Sequence, residues 1–407
     1  MAKPNNDQLT ESRTQAFKNL DIPASHRIIL SLDGGGMRGM LTIQLLKQLE
    51  VVAGIPCYEL ADMVAGTSTG AIIAGLIVTG HTATEIEKKY EHLIYEVFDK
   101  RALGNRFINP PAYSKENYRK LLKQIIGNIS LESACRIKDL DLMITAKDMS
   151  AAEETFFSCF KQSDGSYYGT YKDVLLRAVM EATMSAPTYF YPLERFVDGG
   201  TTTYNNPSLA AYMEAVSYST PKHDGEQAMS AYDLSKITLL SFGTGISKQF
   251  IKPQNTLDPK GIAIKFWLDW LMTEMGQDAS AMQVDAFRST MLRKIIDFRR
   301  FQISLDPDAI QQLPNTDALD EKKYGSKWLK DLDETVLGNI DMADVSRFDL
   351  MKIIGAQMAV YIMQTGGAFA RDLINERGRD LLVTASGDID RIRKQLSDAN
   401  WIDKFTA

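Results

Sequence analysis

The sequence has few cysteines and no long apolar run, and both absences narrow the class of protein. Its three cysteines, Cys57, Cys135 and Cys159, are an odd number without C-x-x-C spacing, so they suggest neither a disulfide framework nor a zinc site. The most apolar window, residues 71–80, is much shorter than the roughly 20 apolar residues that a bilayer-spanning helix needs. Any membrane contact is therefore expected to be peripheral.

The chain also has no excess of positive charge and no apolar leader. With 46 Lys and Arg against 52 Asp and Glu, its formal net charge is −6, which disfavours a nucleic acid polymer as a partner. The first 21 residues are polar and carry no apolar core of a secretory signal, so we expect a cytoplasmic protein. What the chain does have is 44% apolar residues over 407 positions, enough to fill a sizeable core.

Apolar runs and amphipathic stretches alternate along the first 245 residues. Short apolar runs that predict strands occur at 27–33, 59–66, 139–148, 154–160 and 236–245. Helical patterns separate them, at 69–80, 82–100 and 171–186. This alternation predicts an α/β fold with a mainly parallel central sheet covered on both faces by helices. From about residue 258 onward the pattern is mostly helical, with long helices predicted at 262–275 and 349–376.

A glycine-rich stretch, LDGGGMRGML at 32–41, follows the first predicted strand and precedes a helix. Gly34, Gly36 and Gly39 are spaced as G-x-G-x-x-G, a pattern found where backbone N–H groups hold a dinucleotide phosphate. A dinucleotide site also needs an acidic residue at the end of the second strand, about 20 positions after the glycines. The second strand of this chain ends differently, which favours another role for the loop.

The second predicted strand runs into a candidate nucleophile elbow. In DMVAGTSTGA, Gly66, Ser68 and Gly70 match G-x-S-x-G, which puts a serine on a sharp turn between a strand and a helix. Turns that follow neighbouring parallel strands lie at the same edge of the sheet, so the glycine loop can direct its N–H groups toward an ester oxygen that Ser68 attacks. The two motifs together predict an oxyanion hole rather than a dinucleotide site.

A nucleophilic serine needs a base, and the sequence leaves two candidates. Of the histidines that follow Ser68, His81 and His92 are typical of solvated surface positions, whereas His223 could complete a Ser–Asp–His triad. Asp198, in RFVDGGTTTYNNP, ends a short apolar run and precedes two glycines that allow an exposed turn beside the serine. In isolation Asp-Gly indicates only a turn. In the company of the other motifs, the carboxylate is the better candidate.

These motifs give the sequence a resemblance to a known family. DGGGMRG (33–39), GTSTG (66–70), SAPTYFYP (185–192), DGG (198–200), NNP (205–207) and SFGTG (241–245) stand in the order seen in patatin-like phospholipases. The resemblance covers residues 27–245 and, more loosely, continues to about 360. It implies a three-layer α/β/α patatin-like fold with additional C-terminal helices, and a Ser68–Asp198 dyad that needs neither metal nor cofactor. The implied oxyanion hole consists of Gly34, Gly35, Gly36 and Arg38.

The resemblance also implies a division of the chain. Residues 1–26 are expected to be a polar segment and residues 27–365 a catalytic domain, with its motifs in 27–245 and its helical part in 258–365. Residues 366–407 are an unassigned C-terminal extension.

The expected function is that of a lipid acyl hydrolase, cleaving fatty-acyl esters of membrane glycerolipids through an acyl-enzyme. Trp267 and Trp270 could lie at a bilayer interface, although such aromatic residues are more often part of a core. A cyclic-nucleotide activator is conceivable because patatin-like enzymes of bacterial antiphage systems can be switched on by one. Three alternatives stay open at this point: a Ser–Asp–His esterase acting on a non-lipid ester, a dinucleotide-dependent oxidoreductase and a catalytically idle scaffold.

Overall fold

The computed structural model describes residues 10–98, 113–221, 232–246, 264–305 and 340–365, with short stretches between 309 and 399; for 264–274 it describes the backbone alone. The chain forms two compact units, residues 1–374 and 375–407. All the residues that the sequence singles out as catalytic belong to the first unit. The division at residue 365 that the sequence suggests stays a prediction.

A single sheet organises the first unit. Its strands are β1 (Arg27–Leu32), β2 (Met63–Thr67), β3 (Asp141–Asp148), β4 (Glu153–Lys161), β5 (Tyr167–Tyr168), β6 (Phe196–Asp198), β7 (Ile237–Phe242) and β8 (Asp297–Ile303). They lie in the order β5-β4-β3-β2-β1-β7-β8, with β6 paired to β3. The run β3-β2-β1-β7-β8 is parallel, and β4, β5 and β6 are added antiparallel. The predicted mainly parallel sheet is confirmed.

Helices connect and cover the strands. They are α1 (Glu11–Asn19), α2 (Gly39–Ala53), α3 (Cys57–Leu60), α4 (Thr69–Val78), α5 (Ala83–Phe98), α6 (Lys115–Ile126), α7 (Leu131–Lys138), α8 (Leu176–Thr183), α9 (Ser208–Met213), α10 (Ile264–Arg288) and α11 (Phe348–Gln364). All ten residues of α4 are buried, as expected for a helix that is apolar on every side. No helix in the described part of the chain is long and apolar enough to cross a membrane.

Side chains that point alternately to the two faces of the sheet pack against helices in two outer layers. Successive side chains of a strand point to opposite faces, so Ile28 and Leu30 of β1 join one apolar cluster and Ile29 joins the other. The larger cluster includes buried residues of α2, α4, α5, α8 and α11, whereas the smaller one includes those of α9 and α10. The sheet is therefore covered on both faces, which gives the expected three-layer α/β/α arrangement.

The C-terminal part contains more strand than its sequence pattern predicts. β8 lies in a stretch for which the pattern predicts mostly helices, and its last five residues are all buried. The helix predicted at 349–376 ends at Gln364, shortly before Gly366 and Gly367, and a short strand occupies Leu373–Asn375. Glycine has little helix propensity, which explains the early end of the helix.

Candidate active site

Ser68 lies in the turn between β2 and α4, as the G-x-S-x-G pattern predicts. Its backbone has φ 52° and ψ −121°, a combination that non-glycine residues rarely adopt. A side chain at Gly66 would collide with the Gly70 backbone, and one at Gly70 would collide with the Leu32 backbone. The two glycines are therefore required for the sharp turn that presents the Ser68 hydroxyl.

The register of β3 brings Asp198 to this turn. β2 pairs with the first part of β3, ending with Thr67 opposite Thr145. β6 pairs with the part of β3 that follows, and Asp198 stands opposite Ala146. Because these partners are adjacent along β3, the end of β2 and the end of β6 meet at one place on the sheet. The short strand thus fixes the carboxylate beside the elbow.

The hydroxyl of Ser68 donates a hydrogen bond of 2.6 Å to Asp198 Oδ2. The second carboxylate oxygen, Oδ1, accepts the N–H of Gly200 at 2.6 Å. Both side chains are buried. Burial raises the pKa of Asp198 to about 6, although its two hydrogen bonds favour the ionised form and reduce this shift. Above pH 6 the buried carboxylate is ionised, and it already accepts a hydrogen bond from the Ser68 hydroxyl whose proton it would take.

None of the histidines in the described part of the chain approaches Ser68. His81 follows the far end of α4, where its ring nitrogen Nδ1 lies 3.1 Å from Thr79 Oγ1. His92 is exposed on α5, and His26 contacts Thr238 beside the start of β1. The alternative base His223 lies outside the described residues.

The glycine loop lies directly against the elbow. A side chain placed on Gly34 would come within 3.1 Å of Ser68 Cβ, which shows how close the two turns are. The Gly34 N–H donates to the carbonyl of Asn205 at 3.2 Å, and the Gly35 N–H donates to Thr69 Oγ1 at 3.2 Å. Gly36 has φ 57° and starts a short 3₁₀ helix, Gly36–Arg38, so its N–H precedes the helix hydrogen bonds. The loop thus carries N–H groups beside the nucleophile.

Arg38, the last residue implied for the oxyanion hole, supports the loop from the side. Its Nε lies 3.5 Å from the carbonyl of Gly35, a long hydrogen bond. Burial lowers the pKa of Arg38, while Tyr189 and Asp341 oppose this shift. Tyr189 also donates a hydrogen bond of 2.8 Å to Asp341. The guanidinium is therefore held among groups of the glycine loop and of the C-terminal part of the chain.

Sequence reasoning missed the ion pair that anchors the glycine loop. Asp33, which precedes the three glycines, receives two hydrogen bonds from Arg300 of β8, at 2.8 and 2.5 Å. Arg300 also donates to Ser241 Oγ at 2.8 Å, and its side chain is only 1% exposed. The signal available in the sequence was a pair of arginines within an apolar run, which does not by itself name their partner.

Comparisons with known proteins agree with the motifs. Residues 30–212 match the family described as Patatin-like phospholipase. The chain is 31% identical over 241 residues to the 85/88 kDa calcium-independent phospholipase A2 of Mus musculus, an alignment that covers 56% of this chain and 28% of the relative. It is 32% identical over 202 residues to the cGAMP-activated phospholipase of Escherichia coli strain TW11681, covering 46% of this chain and 55% of the relative.

A further relative is matched over more of its length at lower identity. The cUMP-AMP-activated phospholipase of Escherichia coli is 25% identical over 291 residues, which is 67% of this chain and 79% of the relative. The first two relatives, by contrast, are matched over 28% and 55% of their own length. The family match includes the glycine loop, Ser68 and Asp198, and it ends before Arg300.

Proposed function

We propose that this chain, whose residues 30–212 belong to the patatin-like phospholipase family, is a lipid acyl hydrolase that cleaves fatty-acyl esters of membrane glycerolipids. Ser68 is the nucleophile and Asp198 its general base. The observation that carries the proposal is the 2.6 Å hydrogen bond between these two side chains at a strained strand-to-helix turn. The three relatives described above are all named phospholipases, which supports the substrate class.

The proposed reaction proceeds through an acyl-enzyme in two stages. Asp198 accepts the hydroxyl proton while Ser68 Oγ forms a bond to the ester carbonyl carbon, and N–H groups of the glycine loop stabilise the oxyanion. Collapse of this intermediate expels the alcohol, which takes the proton from Asp198, and leaves an acyl-enzyme. Water then attacks the acyl-enzyme with Asp198 again as base, releasing the fatty acid and restoring Ser68. The buried setting strengthens each of these electrostatic contacts.

The glycine loop contributes through Gly34, Gly35, Gly36 and Arg38. The Gly35 N–H, bound to a side-chain hydroxyl at a long 3.2 Å, can exchange that acceptor for a substrate oxygen. Gly36 offers its N–H at the start of a 3₁₀ helix. Removal of one oxyanion donor typically costs about 10² to 10³ in rate. Arg38 holds the loop in place through the carbonyl of Gly35.

Access to lipid requires peripheral contact with a membrane. In the segment TYFYPL, Phe190 is buried in an aromatic cluster and Tyr189 binds Asp341, whereas Tyr191 is 63% exposed. Tyr191 is therefore the residue of this segment that we propose at the interface, since aromatic side chains with a polar end favour that position. The side chains of Trp267 and Trp270, which the sequence also suggests, lie outside the described residues.

The proposal is tested by the products that the full chain releases. Vesicles of phosphatidylcholine, phosphatidylethanolamine and phosphatidylglycerol, galactolipid vesicles and a water-soluble p-nitrophenyl ester are incubated with the wild type, with Ser68→Ala as the blank. We expect free fatty acid and lysolipid in stoichiometric amounts, measured by mass spectrometry. Cleavage of the soluble ester alone would indicate a non-lipid esterase. If no substrate is cleaved and NAD or NADP raises the melting temperature, the chain would instead be a dinucleotide-dependent oxidoreductase.

An activator is included in the same assay. Two of the relatives described above are named as activated by cGAMP or by cUMP-AMP. Each reaction is therefore run with and without these two compounds. A lipid-dependent rate that rises only when one of them is present would support a cyclic-nucleotide switch in this chain.

The pKa of Asp198 predicts the pH dependence of the reaction. Because the base must be ionised and its pKa is about 6, kcat/KM for the soluble ester should be constant above pH 7 and fall tenfold per pH unit well below pH 6. A plateau that extends down to pH 4.5 would show that the base keeps an ordinary carboxyl pKa. Initial rates between pH 4.5 and 9 with the soluble ester measure this without changing the state of a lipid surface.

A further inference from the structure

Three consecutive residues at the end of α8, Thr183–Ser185, touch both members of the proposed dyad. Thr183 Oγ1 accepts the backbone N–H of Ser68 at 2.8 Å. Met184 places its sulfur 3.6 Å from Ser68 Oγ. The carbonyl of Ser185 accepts the backbone N–H of Asp198 at 3.2 Å. This segment, called here the 183–185 segment, therefore contacts nucleophile and base from one short piece of chain.

A lysine with a mostly buried side chain fixes the end of the 183–185 segment. Lys115 Nζ donates to Ser185 Oγ at 2.7 Å and lies 3.3 Å from Glu181 Oε1. The Ser185 hydroxyl in turn donates to the carbonyl of Glu181 at 2.7 Å. The Lys115 side chain is only 9% exposed, so this cation is held inside the protein beside the segment. Arg119 binds the same Glu181 carboxylate at 2.6 Å but is 53% exposed.

The backbone of Ser68 depends on such support. A non-glycine residue at φ 52° and ψ −121° stores on the order of 1–3 kcal/mol of strain, and it persists only where its surroundings determine it fully. Its N–H is buried, and a buried donor that loses its acceptor costs about 1–3 kcal/mol. The Thr183 hydroxyl supplies that acceptor. Without this acceptor, relaxation of the strained turn would lower the free energy of the folded chain, and it would move Ser68 Oγ.

We infer that Thr183 and Lys115 are positioning residues that hold Ser68 and Asp198 at reacting distance through the 183–185 segment. This inference deepens the proposed function and rests on it. Neither residue touches the reacting atoms, because Thr183 acts on the Ser68 backbone and Lys115 acts on Ser185. Displacement of a reacting group by about 1 Å can lower a rate by about 10²-fold.

The test compares matched variants of the full chain. Thr183→Val keeps the shape and removes the hydroxyl, whereas Thr183→Ser keeps the hydroxyl. Lys115→Met removes the hydrogen bond to Ser185, whereas Arg119→Met removes the other cation from the same carboxylate and serves as its control. With the soluble ester we expect kcat to fall about 10²-fold in Thr183→Val and about tenfold in Lys115→Met, with KM within twofold. Thr183→Ser and Arg119→Met should stay within threefold of the wild type.

A second readout does not require ester turnover. A long-chain alkyl fluorophosphonate forms a bond from phosphorus to Ser68 Oγ as fluoride leaves and Asp198 accepts the proton, and mass spectrometry locates the adduct. The labelling rate should fall in Thr183→Val and Lys115→Met in the same ratio as kcat. Thermal melting of each variant separates slow labelling from loss of the folded protein.

The outcomes separate the two proposals. Labelling of Ser68 without fatty-acid release from any lipid would end the proposed lipid hydrolysis, and the relative labelling rates would still decide the positioning role. Unchanged kcat and labelling in folded Thr183→Val would overturn the positioning role and leave the hydrolase standing. A rise in KM alone, or an equal loss in Arg119→Met, would also overturn it, because either result points to substrate binding or to general destabilisation.

Discussion

Ser68→Ala and Asp198→Asn should each lose on the order of 10⁶ in kcat, by analogy with serine hydrolases in which the nucleophile or the general base has been removed singly. The two losses should be similar because the nucleophile and its base act as a unit. The Asn variant keeps a side chain of the same shape 2.6 Å from the hydroxyl but cannot accept its proton. Both variants are measured by their steady-state rates with the soluble ester. Titration of a separate sample of Ser68→Ala with a fluorophosphonate counts any contaminating wild-type active sites, so that their contribution can be subtracted.

The matched control for the dyad is His223→Ala, which removes the alternative base and should retain wild-type kcat. Full activity in Asp198→Asn combined with loss in His223→Ala would mean that the histidine is the base. His81→Ala is a second control, since that ring lies beyond the far end of α4 and contacts Thr79. Its kcat should equal that of the wild type.

Loss of activity in Asp198→Asn should not reflect loss of the fold. Burial raises the pKa of Asp198 from its ordinary 3.8 to about 6, so the ionised carboxylate makes the folded state less stable as the pH rises through 6. A shift of about two pKa units corresponds to about 3 kcal/mol. The Asn variant should therefore melt at a higher temperature than the wild type at pH 8, and this difference should disappear near pH 4. An inactive variant of greater stability would show that Asp198 serves catalysis at a cost in the stability of the fold.

The sequence predicts the first half of the fold well because its elements are locally determined. β1, β2, β3, β4 and β7 are short apolar runs, and α4 is apolar throughout, so their patterns are unambiguous. β8 escapes the same reasoning. It contains Asp297, Arg299 and Arg300, and charged residues normally indicate solvent. Only the folded chain shows that Arg300 is neutralised by Asp33, a residue 267 positions earlier in the sequence.

The candidate site also combines residues that local sequence identifies with residues that only tertiary contacts identify. Ser68 and the glycines are recognisable because a sharp turn restricts which residues can occupy it. Asp198 can be nominated from its motif, but its contact with Ser68 depends on β6 continuing the pairing of β3 where β2 ends. Thr183 and Lys115 carry no signal of this kind, since a threonine at a helix end and a lysine at a helix start are common. Their relation to the dyad depends entirely on tertiary contacts.

The ion pair between Arg300 and Asp33 leads to the second large expected effect. Arg300→Met should lower the free energy of unfolding by about 3–5 kcal/mol, because it leaves the Asp33 carboxylate, only 4% exposed, without its compensating charge. Since Asp33 begins the glycine loop, kcat of the molecules that stay folded should also fall, by about 10²-fold if the oxyanion donors are displaced. Urea unfolding and kcat with the soluble ester measure the two effects separately. Arg293→Met, at an exposed arginine on the short helix before β8, is the control and should change the unfolding free energy by no more than about 0.5 kcal/mol.

A double variant separates the contribution of the pair to stability from its contribution to the active site. In Asp33→Asn combined with Arg300→Met no charge is left buried, so most of the lost unfolding free energy should return. The two hydrogen bonds that tie the loop to β8 remain absent, so kcat should stay low. If kcat returns together with stability, the ion pair serves the fold alone and the glycine loop needs no anchor. If Arg300→Met itself unfolds like the wild type, the carboxylate is protonated or hydrated in that variant, and the cost assigned to an uncompensated buried charge is wrong for this site.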